Sequence, residues 1–237
     1  MESIIDECNL IFITTPDDII SEIDREISKF QLNNKHICHC SGSLSSDILF
    51  NAKHADAEVY SIHPMFAFSS KDIPLEDLKE MYFSVDMGNI AECNNPENSL
   101  VIKMLNSLPN KYFIRKPETS SLYHLSNVMA SNMVLSLINI AAEYLTECGL
   151  SEEDALKSLK PLICRNIESI FSKGFKKAVT GPVARNDIQT VIKHKNVIKN
   201  KHKNLYNVLS LNLLNILLEE ETDIQKEYSQ MINILKE

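Results

Sequence analysis

The turn Thr14-Thr15-Pro16-Asp17-Asp18 is the first place in this sequence where side chains could do chemistry. It directly follows the apolar run Leu10–Ile13. A short apolar run bounded by turn residues predicts a buried strand. Open α/β sheets bind ligands at the carboxyl ends of their strands. The turn therefore indicates a ligand-contacting loop, although a plain turn with a helix cap would use the same residues.

The segment HICHCSGSLSSD suggests either a metal site or a loop at a ligand. On a strand, His36, Cys38 and Cys40 would share one face at steps of roughly 7 Å, twice the rise per residue. Because that spread is too large for one zinc ion without further ligands, we expect no metal site here. Ser41 and Gly42 are a better indication, since a glycine at a strand end lets a ligand approach the backbone.

A third candidate is His63, which stands before Pro64 at the end of another apolar run. A single histidine in this position is usually a packing or capping residue. Its expected place at the same sheet edge as Ser41 favours a functional role.

The apolar segment LYHLSNVMASNMVLSLINIAAEYL predicts a buried helix that carries a polar stripe. His124, Asn127 and Ser131 recur at helical spacing, and Asn132 lies beside them. Polar groups on a buried helix must find hydrogen-bond partners. Spacing alone favours a helix–helix network, and a substrate-binding stripe is the alternative.

The segment AVTGPVARNDIQTVIKH concentrates polar side chains around the turn Gly181-Pro182. Asp187 suits the N-cap of the next helix, on which Thr190 and His194 share its face. Arg185 precedes it and could bind a carboxylate through two hydrogen bonds.

Apolar runs alternate with helical patterns in the first half of the chain, which predicts a layered, parallel α/β sheet. The predicted strands are NLIFITT, HICHCSG, AEVYSIHP, YFSVD and KYFIRK, and the helices between them are IISEIDREISKF, SSDILFNAKHA and ENSLVIKMLNSL. We expect Asp18 to cap the first helix, Ser45 or Ser46 the second, and Asn95-Pro96 to open the third.

After Pro117 only helical patterns follow, so the sequence predicts two domains, 1–117 and 118–237. One long helix is expected from 119 to 148, ended by Gly149, and a second from Ser151 to about Lys173. Further helices are expected from Asp187, from about Lys203 and near Asp223.

The charge and the cysteines limit the classes of function. The chain has 24 Lys plus Arg against 32 Asp plus Glu, a net charge of −8, which argues against broad nucleic-acid binding. The N-terminus lacks a signal-peptide pattern, and residues 133–145 are interrupted by polar side chains, which argues against a membrane span. Six cysteines without a CxxC pair are typical of reduced, cytoplasmic thiols.

Taken together and in this order, IFITTPDD, HCSGSLSSD, SIHPMFAF, YHLSNVMASN and TGPVARNDIQTVIKH resemble the Rossmann-like plus DUF2520 family. That family is similar to the ketopantoate reductases, pyrroline-5-carboxylate reductases and β-hydroxyacid dehydrogenases. The resemblance covers the chain from about Glu2 to past Tyr206. It implies a partial Rossmann-like sheet followed by an all-α domain like the C-terminal domain of 6-phosphogluconate dehydrogenase.

The resemblance also implies a cytoplasmic, homodimeric oxidoreductase that uses NADP or NAD to reduce a small keto or imino acid, ketopantoate being one example. Thr14, Thr15 and Pro16 would line the nicotinamide ribose, with Ser41 and Gly42 close to it. His124 would donate the proton or polarise the carbonyl, since imidazole titrates near neutral pH. Asn132 would assist it, and Ser131, Arg185 and Asp187 would bind the substrate.

The sequence departs from that family in its cofactor loop. No GxGxxG occurs among its five glycines, and only seven residues precede the segment CNLIFITTPDD, whereas the family places a glycine-rich βαβ unit there. We therefore expect a longer natural protein or a remnant. No lysine lies between Lys116 and Lys157 to replace the lysine of the related reductases, and Asn186 stands where the family has glycine.

These departures leave two hypotheses open. The chain is either an oxidoreductase of this family or a non-catalytic, dimeric helical scaffold that binds no dinucleotide. A metal-binding regulator using His36, Cys38 and Cys40 is a weaker third hypothesis.

Overall fold

The computed structural model describes residues 1–88, 99–218 and 227–237. Two compact units divide the chain, Met1–Asn139 and Ile140–Glu237. The domain division that the sequence predicts near residue 117 stays a prediction.

Five strands form one sheet in the order of the chain: β1 (Leu10–Ile13), β2 (His36–His39), β3 (Glu58–Met65), β4 (Tyr82–Asp86) and β5 (Lys111–Arg115). Four of these strands lie within runs that the sequence predicts as strands, and β3 extends one residue beyond its predicted run, to Met65. The partial Rossmann-like α/β sheet followed by helices is therefore confirmed.

The sheet is not wholly parallel, so that part of the prediction is wrong. Strands β1 to β3 run parallel, β4 pairs antiparallel with β3, and β5 is parallel to β4. A parallel connection needs a crossover, usually a helix. Between β3 and β4 the chain forms only the short helix Leu75–Lys79 and returns beside the end of β3, so that Tyr82 pairs with Met65.

Helices on both faces of the sheet contribute to its two apolar clusters. The helices up to residue 147 are, in chain order, α1 (Glu2–Glu7), α2 (Asp17–Ile27), α3 (Phe50–His54), α4 (Leu75–Lys79), α5 (Leu100–Asn106), α6 (Ser120–Ala130) and α7 (Asn132–Glu147), with a 3₁₀ turn at Ser46–Leu49 before α3.

The expected helix starts are confirmed in part. Ser45 precedes the 3₁₀ turn and its side chain accepts a hydrogen bond from Asp47 N. Asp18 does not cap α2, because the helix already begins at Asp17 after Pro16. The start expected at Asn95-Pro96 lies outside the described residues.

Side-chain alternation gives the sheet two apolar faces. Ile37 and Val59 belong to the cluster on one face, together with α2 and α3, and Cys38 and Tyr60 belong to the cluster on the other, together with α5. Strands that are buried on both faces explain the continuous apolar runs in the sequence.

A polar row crosses the first of these faces. In register, His39 pairs with Ser61, Ser61 with Asp86, and Asp86 with Arg115, which places the four residues side by side on neighbouring strands. All four are buried. A buried polar row must be satisfied by hydrogen bonds, so these residues hold neighbouring segments in place.

The single buried helix expected from 119 to 148 is wrong in two respects. A 3₁₀ turn at Pro117–Thr119 precedes α6, and Ser131 (φ −117°, ψ −78°) separates α6 from α7. The Ser131 hydroxyl donates to Asn127 O at 2.7 Å, a local bond that competes with regular helix geometry. Much of the apolar surface is also exposed, with Leu122 at 69% and Leu135 at 67%.

Helix Pro117–Glu147, as a continuous stretch, is the one segment in the described residues that is long and apolar enough to cross a membrane. Length and composition alone distinguish this stretch, and core helices of soluble proteins share both properties.

The second unit is helical and encloses its own core. After Gly149 and the N-cap Ser151, its helices are α8 (Glu152–Lys173), α9 (Phe175–Ala178), α10 (Ile188–Val197), α11 (Lys203–Leu218) and α12 (Ser229–Lys236). The starts expected at Ser151, Asp187 and Lys203 are confirmed, and the start near Asp223 lies outside the described residues.

Candidate active site

The loops that follow β1 and β2 are tied together by Asp17. One of its carboxylate oxygens accepts hydrogen bonds from Ser41 Oγ at 2.7 Å and from Ser43 Oγ at 2.8 Å. Thr14 and Thr15 are exposed at the end of β1. The residues predicted to contact a cofactor therefore lie at one edge of the sheet.

The buried side chain of His39 holds the loop after β2 through two hydrogen bonds. Its Nδ1 accepts from Ser41 N at 3.2 Å, and its Nε2 donates to Ser45 O at 3.0 Å, which defines a neutral ring with the proton on Nε2. Burial lowers the pKa of His39, so the ring stays neutral. No role for His39 was predictable from its local sequence pattern.

Gly42 lies against the ring of His63. A Cβ atom at Gly42 would sit 2.8 Å from His63 Nε2, which is closer than real contacts allow. The space beside this glycine is thus taken by a side chain of the same protein. The predicted contact between Gly42 and a cofactor stays a prediction.

His63 is held on its other side by Tyr123 of α6. The Tyr123 hydroxyl lies 2.6 Å from His63 Nδ1, and the two rings meet edge to face. Burial, together with the nearby His124 and Arg115, lowers the pKa of His63 to about 4. Burial raises the pKa of Tyr123, so the phenol keeps its proton. At neutral pH both rings are uncharged.

Arg115 anchors this arrangement at the end of β5. Its guanidinium donates to Ser84 Oγ at 2.9 Å and Ser61 Oγ at 3.1 Å, and it also bonds Ser120 Oγ. The same group lies over the Tyr123 ring, 5.1 Å from its centroid. Arg115 thereby positions the first turns of α6 against the sheet.

A cavity of about 320 Å³ opens between the end of β3 and the helices α6 and α7. Its polar lining consists of His63, His124, Asn127, Ser131 and Asn132. The structure thus brings the predicted His124, Ser131 and Asn132 together. It also adds His63, for which the sequence favours a functional role without indicating which one.

Asn127 is distinctive in this lining. Its side-chain amide nitrogen is buried and makes no hydrogen bond of regular geometry within the described residues, although the amide interacts with the Tyr123 hydroxyl and partly opposes the burial that raises the pKa of that phenol. A buried donor that is so poorly satisfied is costly in a folded protein, and an acceptor in the cavity would lower that cost.

The remaining predicted substrate residues, Arg185 and Asp187, lie in the second unit. Asp187 caps α10, where Thr190 N and Oγ1 donate to it at 3.1 and 2.7 Å and lower the pKa of its carboxyl. The preceding Asn186 has φ 53°, a left-handed conformation that asparagine tolerates. The substrate contacts predicted for Arg185 and Asp187 stay predictions.

The proposed metal ligands are engaged otherwise. His36 Nδ1 lies 3.1 Å from Tyr60 Oη and 2.9 Å from Glu58 Oε2, and Cys38 is fully buried in the core. No group of three or more His, Cys, Asp or Glu within the described residues could hold a metal ion.

A dinucleotide fits this edge of the sheet in part. The exposed hydroxyls of Thr14 and Thr15 suit a ribose, whereas the hydroxyls of Ser41 and Ser43 are already committed to Asp17. The sequence contains no GxGxxG turn for a pyrophosphate. The residues present therefore fit the nicotinamide-ribose end of the cofactor.

Solved structures share this fold. Protein TM1727 from Thermotoga maritima matches with a TM-score of 0.68 and 26% identity over 88% of this chain and 78% of that one. Plasmodium falciparum pyrroline carboxylate reductase with NADP bound matches with a TM-score of 0.57 and 15% identity over 92% and 78%. An NADH-preferring ketol-acid reductoisomerase from an uncultured archean reaches 0.56 and 15% over 99% and 71%. No curated protein matches the sequence.

A Rossmann-like sheet followed by a helical region is the fold that this chain shares with protein TM1727 and with the two other solved structures. The DUF2520 profile, a domain of unknown function, matches residues 89–213. The chain belongs to the DUF2520 family, as its motifs indicate.

Proposed function

We propose that this chain works as an NAD(P)H-dependent oxidoreductase that reduces a small keto or imino acid. The observation that carries the proposal is the cavity beside β3, into which two histidines, two asparagines and Ser131 converge. Concave sites with a few convergent polar groups are the usual form of small-molecule sites. The family and the fold supply the reaction class only by analogy.

The residues have distinct roles in this proposal. The nicotinamide supplies the hydride when the cofactor is bound. Thr14, Thr15 and Pro16 contact the nicotinamide ribose beside the Ser41–Gly42 loop. The other residues act on the substrate: His124 donates the proton or polarises the carbonyl, Ser131 and Asn132 orient the substrate, and Arg185 binds its carboxylate. Asp187 is a further substrate-binding residue.

Calorimetric titration of the purified chain with NADPH and with NADH tests the proposal. Saturable micromolar binding supports the enzyme and leads to a screen of keto acids, with ketopantoate first. Absence of binding by a chain that circular dichroism shows to be folded overturns the enzyme and favours the scaffold.

We also propose that the protein is a homodimer formed through α6 and α7. Leu122, Leu125 and Met129 recur at helical spacing on α6, and Met133 follows at the start of α7; together they form an apolar stripe that is exposed, at 47 to 69%. Between Glu118 and Glu143 the sequence contains no Asp, Glu, Lys or Arg, so a second copy can pack against this stripe without burying a formal charge. Light scattering at the mass of two chains supports the dimer, and L125E with M129E should give the mass of one.

A cytoplasmic location is part of the same proposal. Cys8, Cys38, Cys40, Cys148 and Cys164 are all free thiols in the structure. Free thiols are typical of a reducing compartment. Fractionation of cells that produce the tagged protein tests the compartment.

A further inference from the structure

The cavity beside β3 contains two hydrogen-bond donors that the protein leaves poorly satisfied. One is Nδ2 of Asn127, which is buried and makes no hydrogen bond of regular geometry within the described residues, its one weaker interaction being with the Tyr123 hydroxyl. The other is on His63, whose Nδ1 faces Tyr123 and whose Nε2 makes no hydrogen bond with the described part of the chain. Both side chains line the same cavity.

The proton on His63 follows from its neighbour. The Tyr123 hydroxyl lies 2.6 Å from Nδ1, and a protonated phenol in this place donates to that nitrogen. A neutral imidazole that accepts at Nδ1 carries its proton at Nε2. His63 therefore presents a neutral N–H group, whose ring is seated on Gly42.

We propose that His63 Nε2 and Asn127 Nδ2 form an oxygen-binding pair that holds a carbonyl or carboxylate oxygen of the ligand in this cavity. The pair donates two hydrogen bonds and transfers no proton, so a negative charge that develops on the oxygen is stabilised by fixed donors. Proton donation remains with His124. The choice of a keto or imino acid as ligand rests on the proposed function.

Tyr123 is a positioning residue in this pair. It touches His63 and the Arg115 guanidinium, and it is not among the residues that line the cavity. Its hydroxyl determines which nitrogen of His63 carries the proton. The Y123F variant keeps the aromatic ring and removes the hydroxyl that determines the tautomer of His63.

Nitrogen-15 NMR of the full chain tests the pair without needing turnover. The free protein should show His63 with the proton on Nε2, and Y123F should show a mixture of the two neutral forms. Addition of 2-oxobutyrate should shift the signals of His63 Nε2 and the Asn127 amide. Butyrate has the carboxylate of 2-oxobutyrate but lacks its keto group. Signal shifts with 2-oxobutyrate alone would therefore assign a carbonyl oxygen to the pair, and equal shifts with butyrate would assign a carboxylate oxygen.

Substitutions distinguish a binding role from a structural one. N127L has nearly the same shape and removes the poorly satisfied donor, so we expect a thermal midpoint that is unchanged or higher and binding of 2-oxobutyrate about tenfold weaker. H63F should weaken binding to a similar extent, and H63Q should restore part of it. S126A, on the same helix and outside the cavity lining, is the matched control and should bind normally.

The outcomes separate this inference from the proposed function. Signal shifts with 2-oxobutyrate in a protein that binds no dinucleotide support the pair and overturn the oxidoreductase. Dinucleotide binding without any change at His63 and Asn127 overturns the pair alone. A charged His63 at neutral pH, or N127L that binds normally, also overturns it.

Discussion

Arg115 Nη1 lies 3.9 Å from Asp86 Oδ2, and the two side chains are 4% and 0% exposed. The pair joins β5 to β4, and each partner has further hydrogen bonds. Asp86 accepts from Ser46 N at 2.8 Å and from Gly88 N at 2.9 Å, while Arg115 reaches Ser61 and Ser84. One charged pair thus connects the sheet, the loop after β2 and the start of α6.

The first prediction concerns this pair. R115A leaves Asp86 buried without its cation, and breaking a buried ion pair on one side costs about 3–5 kcal/mol. Urea unfolding should show a loss of that order. R115K keeps the charge but not the forked hydrogen bonds, so its loss should be smaller. A loss below about 1 kcal/mol for R115A would show that the pair does not stabilise the fold.

The second prediction concerns the link between the first two loops. D17A removes the acceptor shared by Ser41 Oγ and Ser43 Oγ, which frees the loop beside the proposed ribose site. We expect NADPH binding to weaken about tenfold, equal to about 1.4 kcal/mol. D18A changes the neighbouring carboxylate, which makes no such link, and serves as the matched control. Equal effects of both variants would contradict the prediction.

The third prediction concerns the contact between Gly42 and His63. A methyl group in G42A would sit 2.8 Å from His63 Nε2, so the imidazole must move. We expect the His63 ring signals in NMR to shift and the binding of 2-oxobutyrate to fall about tenfold. Because the change adds only one methyl group, circular dichroism should stay the same. Unchanged His63 signals would show that the loop containing Gly42 moves and that the imidazole ring stays in place.

The fourth prediction concerns pH. The pKa of His63 is about 4 in the folded protein, below the value of about 6.5 for an unfolded chain. Between these values the unfolded chain binds a proton that the folded chain does not, so the free energy of unfolding falls as the pH is lowered. Burial lowers the pKa of His39 as well, which adds to the same trend.

Urea unfolding at about pH 5 and about pH 7 measures this trend. Wild type should lose more stability at the lower pH than H63Q, which carries no titrating ring at this position. Identical losses in the two proteins would mean that His63 titrates normally.

The sequence indicated the strands and most of the helices because their apolar runs and caps are local signals. Ser151 and Asp187 cap helices as expected, since a cap depends on its own neighbours. The reversal between β3 and β4 was not predictable in this way. Nothing local to residues 66–81 shows on which side of the sheet the chain returns.

Because the antiparallel pairing of β3 with β4 was not predictable, part of the candidate site was not predictable either. That pairing sets the register that places Asp86 and Arg115 beside Ser61, and Arg115 in turn positions Tyr123. The helical spacing of His124 and Ser131 was visible in the sequence. The pairing of His63 with Tyr123 depends on residues 60 positions apart and required the fold.

The loop after β2 is held in one conformation before any ligand binds. Both ring nitrogens of His39 are engaged, and Asp17 accepts two hydroxyl groups from the same loop, so none of these bonds needs to form when a ligand arrives. Binding at this edge then carries little cost for ordering the protein. Ligands that compete for this loop are therefore distinguished by how well they fit its fixed shape and not by their ability to rearrange the loop.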